Sequence, residues 1–201
     1  MARYGMVIDL QRCIGCHACT VACKVEHYTG PGIFWCRVSD DEVGTYPLVS
    51  RHFLPKLCMH CQNPPCVEVC PTGASYQRED GIVLIDYDKC VGCGYCIVAC
   101  PYGARYNSRE MKGYFGAELT PQEEIGYNQH QLGVSEKCTF CVHRVEMGEE
   151  PACVRVCPTN ARIFGDLEDS NSEVSQLIRS KHGFQLLPEL GTEPAVYYLP
   201  E

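Results

Sequence analysis

The chain has 201 residues, of which 45% are hydrophobic and 17 are cysteine, and its formal net charge is −8 at pH 7. This acidity argues against a nucleic-acid partner, because binding to phosphate backbones depends on clustered lysine and arginine. No stretch approaches the ~18 consecutive apolar residues that a transmembrane helix needs, and we expect no secretion signal, since neither a basic N-terminal region nor a twin arginine is present.

The first predicted element is a strand in the apolar run from Gly5 to Leu10, and a group of four cysteines follows it directly. Sixteen of the seventeen cysteines fall into four such quartets. In chain order, the quartets are Cys13, Cys16, Cys19 and Cys23; Cys58, Cys61, Cys66 and Cys70; Cys90, Cys93, Cys96 and Cys100; and Cys138, Cys141, Cys153 and Cys157.

The spacing within the quartets is typical of [4Fe–4S] ligands. The third quartet, followed by Pro101, has the bacterial ferredoxin pattern CxxCxxCxxxCP, and the first has the same pattern except that Lys24 replaces the proline. Three cysteines at two-residue gaps let a loop curl around one cluster. The fourth follows about one helical turn later and reaches the neighbouring cluster, as in two-cluster ferredoxins. Sixteen thiolates suffice for four clusters, which indicates electron transfer.

Two other uses of many cysteines fit the pattern less well. A disulfide scaffold is expected of short secreted chains, and this chain is long and its cysteines repeat at two-residue gaps. Structural zinc usually takes two CxxC pairs separated by a long spacer, whereas the first three quartets each occupy only 11 to 13 residues. A zinc-stabilised scaffold therefore remains the weaker alternative.

An internal repeat follows three of the quartets. The sequence Cys-Pro-x-x-Ala occurs at 70–74, 100–104 and 157–161. Between the second and third quartets, Ala74–Gln77 and Ile82–Ile85 are predicted to be strands joined by a turn at 79–81. Residues near 53–107 therefore form one complete ferredoxin-like module, and the first and last quartets pair in a second module that is discontinuous in sequence.

We predict an α+β, loop-rich fold of two ferredoxin-like (bacterial 2[4Fe–4S]) modules related by this repeat, with a core organised by the clusters. One module combines residues 1–52 with 133–170, and the other is inserted at 53–132. Residues 171–201 form a C-terminal helix and tail, in which an amphipathic helix over 172–180 places Val174, Leu177 and Ile178 on one face. The Gly- and Tyr-rich segment 108–133 carries no motif and is predicted to be a surface loop or a subunit contact.

The order of the quartets resembles a known family, the four-cluster iron–sulfur subunits of molybdopterin oxidoreductases related to dimethyl sulfoxide reductase. The C-terminal part is most similar to the polysulfide, thiosulfate and arsenate reductase branch. The segments that carry the resemblance, besides the quartets, are 4–9 (YGMVID), 137–141 (KCTFC), 164–167 (FGDL), 188–192 (PELGT) and Tyr197–Tyr198.

The resemblance implies four sets of iron ligands. No cysteine of the sixteen is replaced, so four [4Fe–4S] clusters are expected rather than the [3Fe–4S] cluster that some relatives carry. The implied sets are Cys13, Cys16, Cys19 and Cys157 for cluster I; Cys138, Cys141, Cys153 and Cys23 for cluster II; Cys58, Cys61, Cys66 and Cys100 for cluster III; and Cys90, Cys93, Cys96 and Cys70 for cluster IV.

The resemblance also implies partners. A catalytic subunit with a molybdenum or tungsten bis-pterin cofactor is expected near the first and last quartets, and a quinone-reactive integral-membrane subunit near the middle module. The chain would have no catalytic residue and no small-molecule substrate of its own. It would lie in a membrane-associated complex on the extracytoplasmic face, exported with its catalytic subunit. The alternatives are a cytoplasmic formate dehydrogenase- or hydrogenase-type subunit and a free polyferredoxin.

Several other residues lie among the quartets. Cys36 matches no family ligand position and is predicted to be a small buried apolar residue. His17, His60 and His143 are predicted to be hydrogen-bond donors near the clusters or surface residues, because cysteines already fill every ligand position. Cations just before a quartet either raise cluster potentials or are ordinary solvated side chains, and the sequence leaves both possibilities open: these are Arg12, Lys56, Lys89 and Lys137.

Overall fold

The computed structural model describes residues 2–110, 112–116 and 118–200, which form short helices and strands separated by loops. In chain order the elements are β1 (Tyr4–Asp9), α1 (Ala18–His27), β2 (Cys36–Thr45), β3 (Leu48–Leu57), α2 (Pro65–Glu68), β4 (Ser75–Gln77), β5 (Val83–Ile85), α3 (Tyr95–Val98), β6 (Tyr106–Asn107), α4 (Pro121–Tyr127), β7 (Ser135–Glu136), α5 (Val142–Val145), α6 (Ala152–Arg155), β8 (Arg162–Asp166), α7 (Glu173–Ser180), a 3₁₀ turn (Pro188–Leu190) and β9 (Val196–Leu199). The mixture of helix and strand agrees with the predicted α+β class.

A three-stranded sheet brings distant parts of the chain together. The predicted N-terminal strand is present as β1, which pairs antiparallel with β8 and parallel with β9. Met6, Val7 and Ile8 at its centre are fully buried. Because β8 follows the last quartet and β1 precedes the first, this sheet brings the two quartets close. The segment predicted as a tail after the C-terminal helix ends in β9 and is part of the sheet.

Helix α7 matches its prediction. Ser172 caps its N-terminus by accepting a hydrogen bond from the Ser175 backbone N–H at 3.2 Å. Val174 is fully buried against Val7 and Leu199, and Leu177 and Ile178 pack around this group. The apolar face of α7 therefore covers one side of the three-stranded sheet.

The longest strands form a hairpin that the sequence did not indicate. Strands β2 and β3 pair antiparallel over their full length, from Cys36 opposite Leu57 to Thr45 opposite Leu48. Its base is buried and its outer part is exposed. The Phe53 ring on this hairpin lies against Gly15, so the hairpin supports the loop of the first quartet.

Two predictions for the middle of the chain have different outcomes. The hairpin between the second and third quartets is confirmed, with Ser75 opposite Ile85 and Gln77 opposite Val83. Segment 108–133, predicted to be a loop, contains helix α4. Its capping box joins the side chains and backbones of Thr120 and Glu123, and Pro121 occupies the first helical turn. The Thr-Pro-Gln-Glu signature could have revealed this helix.

Candidate functional site

A cavity lies where the first quartet meets the end of the last. All four cysteines predicted for cluster I line it: Cys13, Cys16, Cys19 and Cys157. Burial raises the pKa of Cys13, and the nearby Cys19 and Cys157 raise it further. The fold thus brings three sulfurs from one quartet to the fourth sulfur of another.

A second cavity of similar size is lined by residues from the middle of the chain. It is lined by the four cysteines predicted for cluster III: Cys58, Cys61, Cys66 and Cys100. Burial raises the pKa of Cys61 to about 12, and Cys58, Cys66 and Cys100 contribute to the rise. The two cavities therefore share their donor set, their size and the crossing of one cysteine from another quartet.

The cysteines predicted for cluster II lie close together in the interior. Burial raises the pKa of Cys23 well above its usual value, and Cys138, Cys153 and Cys141 raise it further by charge repulsion. Helix α1 carries Cys23 and packs against α6, which carries Cys153. The fourth cysteine of the first quartet thus lies with the last quartet.

Two serines and one arginine lie beside three of the four cysteines predicted for cluster IV. Ser135 bridges two of them, since its Oγ lies 3.3 Å from Cys96 Sγ and its backbone N–H donates to Cys90 Sγ at 3.5 Å. The Ser75 backbone N–H donates to Cys70 Sγ at 3.4 Å, and its Oγ accepts from Arg105. Cys93 is exposed on the same loop as Cys90.

The donor sets fit cubane clusters better than single ions. Among the described residues, no three histidine, cysteine, aspartate or glutamate side chains converge closely enough to hold one metal ion. A tetrahedral zinc site requires that convergence, whereas the four cysteines around a cubane bind four different irons. Two separate cavities, each lined by four cysteines, favour [4Fe–4S] clusters over structural zinc.

Glycines in the left-handed region let the cysteine loops curl. Gly15 and Gly92 occupy the same place, directly before the second cysteine of their quartets, with φ of 65° and 67°. A Cβ at Gly92 would lie 1.9 Å from the carbonyl oxygen of Gly133, and a Cβ at Gly15 would lie 2.2 Å from the Phe53 ring. Both positions therefore need glycine for backbone conformation and for space.

Replacing Gly92 with alanine is expected to impair loading of cluster IV much more than replacing Gly94. Both residues have positive φ, which costs alanine about 1–2 kcal/mol, but only Gly92 lies against backbone, since Gly94 has open space around it. Iron content and the temperature at which visible absorbance bleaches measure the difference. Equal losses in Gly92→Ala and Gly94→Ala would contradict this account of the loop.

Contacts link the four groups of cysteines into a row, in the order I, II, III, IV, and Arg105 lies between the last two groups. Groups I and II meet at Cys36, whose thiol lies between Cys19 and Cys153. Groups II and III meet where Cys58 is close enough to Cys138 to raise its pKa, which burial already raises. Cys16 and Cys93, at the two ends of the row, are exposed, whereas the first three cysteines of the second and fourth quartets are buried.

Cys36 is buried, as predicted, and it is also polar in its contacts. Hydrogen bonds to Cys153 and Cys19, together with burial, raise the pKa of Cys36 well above its usual value. Arg162 donates to its Sγ at 3.3 Å. Cys36 therefore lies between cysteines predicted for cluster I and cluster II.

The histidines and cations have distinct environments. His60 is buried, accepts a hydrogen bond from the Val83 backbone N–H at 3.1 Å and stacks on Phe140 at 3.8 Å, so it joins the loops of groups II and III. Lys137 is fully buried and donates to backbone carbonyls, those of Val83 and Cys138, whereas Lys89 is exposed and pairs with Asp86. Of the two possibilities left open for the cations, ordinary solvation thus applies to Lys89 and not to Lys137.

Comparison with known proteins agrees with this arrangement. Residues 49–115 and 117–167 match the model of a 4Fe–4S dicluster domain, and residues 4–25 match that of a 4Fe–4S binding domain.

Relatives are similar over almost the whole chain. A putative dimethyl sulfoxide reductase iron–sulfur subunit from Halobacterium salinarum is 48% identical over 99% of this chain and 79% of its own. The arsenate respiratory reductase iron–sulfur subunit from Shewanella sp. is 42% identical over 98% and 96% of the two chains. One of the chains of polysulfide reductase from Wolinella succinogenes is 39% identical over 98% and 94%.

Proposed function

The chain belongs to the family of iron–sulfur subunits of dimethyl sulfoxide reductase-type molybdopterin enzymes, and we propose that it connects the catalytic subunit of an anaerobic respiratory reductase to a quinone-linked membrane subunit. It is an electron-transfer subunit that holds several [4Fe–4S] clusters. Catalysis takes place in its partner, and the chain itself makes and breaks no substrate bonds. A reductase of the polysulfide, thiosulfate, tetrathionate or arsenate type is the proposed complex.

The proposed ligand sets are the four groups of cysteines named above. The observation that carries this proposal is the pair of similar cavities, each lined by three cysteines of one quartet and the last cysteine of another. This crossing also supports the proposed architecture of two ferredoxin-like modules, in which residues 1–52 and 133–170 form one module, residues 53–132 the other, and 171–201 the C-terminal extension.

When bound, the clusters supply sites that gain and lose one electron each. The chain's residues space these sites and keep water from the inner two, since the cysteine triplets of groups II and III are buried. Charges and hydrogen bonds around the ligands then set the potentials, which range from about −700 to +450 mV for this class of cofactor.

The two exposed ends of the row are the proposed contacts with the partners. At the group I end, Ile14, Val21 and Val25 are large apolar residues that are more than half exposed. At the group IV end, Val91 and Val98 are exposed to a similar or greater degree. Apolar patches beside otherwise polar loops are typical of protein contacts. We assign the first end to the molybdopterin subunit and the second to the membrane subunit.

Within the described ranges, no helix has the length and apolar character needed to cross a bilayer. Attachment to the membrane would come from the quinone-linked partner, and we propose the extracytoplasmic face as the location of the complex, with export alongside the catalytic subunit.

Isolation of the tagged chain from anaerobically grown cells tests the proposal. A large molybdopterin subunit and an integral-membrane subunit are expected to co-purify with it. Ile14→Glu is expected to release the molybdopterin subunit alone, and Val98→Glu the membrane subunit alone, because each introduces a charge at one end only. Isolation of a loaded monomer without partners would favour a free polyferredoxin. Release of both partners by either variant would contradict the two-ended assignment.

A further inference from the structure

Two buried arginines occupy equivalent positions in the internal repeat. Arg105 follows the repeat copy at 100–104, and Arg162 follows the copy at 157–161, so each lies five residues after the last cysteine of its quartet. The third copy, at 70–74, has Ser75 in that position. Both arginines are almost completely buried, at 4% and 3% exposure, which is rare for this residue type unless its charge is compensated.

Arg105 lies between the third and fourth groups of cysteines. Burial lowers its pKa, and Cys66, Cys58 and Cys96 raise it above its usual value. One N–H group donates to Ser75 Oγ at 2.8 Å, which places the arginine of one repeat copy against the serine of another. Its Nε and Nη2 atoms are buried and have no hydrogen-bond partner among the described residues. Sulfur atoms of adjoining clusters are suitable acceptors for these donors.

Arg162 has the same relation to the first and second groups. Its Nη1 lies 3.8 Å from Cys153 Sγ, and its Nη2 lies 3.3 Å from Cys36 Sγ. Burial lowers the pKa of Arg162, and Cys36, Cys153 and Cys19 raise it well above the usual value. The third cysteine of every quartet thus lies near an arginine: Cys19 and Cys153 near Arg162, and Cys66 and Cys96 near Arg105.

We propose that Arg105 and Arg162 are charge-compensating residues, one between the two clusters of each module, that raise the reduction potentials of both neighbours. The proposal rests on the proposed function, since it requires clusters at all four sites. Each reduction adds one electron to a cluster and removes one from its donor. A fixed positive charge between two clusters stabilises the added negative charge on either of them, and burial weakens the screening of that attraction.

The arginines also limit the cost of burying so much negative charge. Each oxidised cluster with four thiolates contributes about two negative charges, and a buried cation needs such a partner in turn. Because the two arginines occupy equivalent repeat positions, we infer that both modules compensate the buried negative charge in the same way.

Redox titration of the full-length chain, isolated anaerobically with its clusters and followed by electron paramagnetic resonance, tests the proposal. Arg105→Gln is expected to shift two of the four potentials to more negative values, and Arg162→Gln the other two. The equilibrium constant for each affected reduction should fall about tenfold or more. Each tenfold fall corresponds to a shift in reduction potential of about 59 mV for a one-electron reduction. Arg105→Lys and Arg162→Lys keep the charge and are expected to restore most of each shift.

Arg155→Gln is the matched control, because Arg155 lies two residues after Cys153 and its replacement removes the same charge, but its side chain is 69% exposed. The potentials of this variant should stay close to those of the unmodified chain. Shifts no larger than this control, or shifts of the same two potentials in both glutamine variants, would overturn the proposal.

Iron content separates the proposal from the proposed function. If the unmodified chain contains far fewer than about sixteen irons, the proposed function fails, whatever effect the arginine variants have on the potentials. If a glutamine variant loses iron, the lysine variants provide the test instead. Near-normal potentials in both lysine variants support charge compensation. A tenfold change in a reduction equilibrium constant in either lysine variant contradicts it.

Discussion

Replacing Cys23 with alanine is expected to destroy cluster II while leaving the rest of the first quartet loaded. Cys23 lies with Cys138, Cys141 and Cys153 in the interior. Alanine cannot bind iron, so the chain should lose about four irons, or about one if a three-iron cluster persists. Reduction of the terminal substrate by the complex should fall by at least the ~10–100-fold seen for weaker changes around metal sites.

Cys36→Ala is the matched control for this prediction. It makes the same chemical change at another buried cysteine, and this cysteine is hydrogen-bonded to Cys19 and Cys153. Because Cys36 belongs to no ligand set, its removal is expected to leave about sixteen irons in place. Iron and acid-labile sulfide analysis, with electron paramagnetic resonance of the reduced complex, measures both variants. Equal loss of iron in the two variants, or loss of cluster I in Cys23→Ala, would show that the crossing is wrong.

Removal of iron is expected to unfold most of the chain. The main hydrophobic core includes many cysteines, among them Cys19, Cys23, Cys58, Cys138 and Cys153, and each sheet in the described residues has only two or three strands. Without clusters, these thiols line empty space and nothing connects them. We therefore expect cluster binding to supply most of the free energy of folding, as metal binding does in small metalloproteins. The loss should be cooperative across both modules.

Anaerobic chelation followed by circular dichroism and amide hydrogen exchange measures this loss. Protection of the core strands should disappear together with the visible absorbance, and return when iron and sulfide are added back. The small apolar group around Val7, Val174 and Leu199 contains no cysteine, so it is the last region expected to lose protection. Retention of native secondary structure after complete iron removal would contradict a core organised by clusters.

Local signals made much of this fold predictable. The quartets, the hairpin between the second and third of them, and helix α7 each have a short-range signature, and all are present. The β2–β3 hairpin has none, because residues 36–45 are mostly polar, most of the hairpin is at least partly exposed, and its strands do not alternate between a buried and an exposed face. Pairing of β1 with β8 and β9 depends on contacts between the two ends of the chain, and no periodicity reports them.

The sequence predicts the ligands of the site but not the surroundings in which the structure places them. Spacing identifies the cysteines because each iron needs one thiolate, but burial of Arg105, Lys137 and Arg162 contradicts the usual exposure of cations. The burial of the two arginines could have been predicted from their position in the repeat, because residues at the same repeat position are expected to have similar surroundings. Lys137 directly precedes Cys138, yet it donates to backbone carbonyls, which sequence spacing could not reveal.

The most direct test is the content of iron, sulfide and zinc in anaerobically isolated chain. Four cubanes held by these sixteen thiolates predict about sixteen irons and as many sulfides per polypeptide, with little zinc. Far fewer irons, or zinc in their place, would contradict the conclusion that this chain relays electrons through a row of clusters.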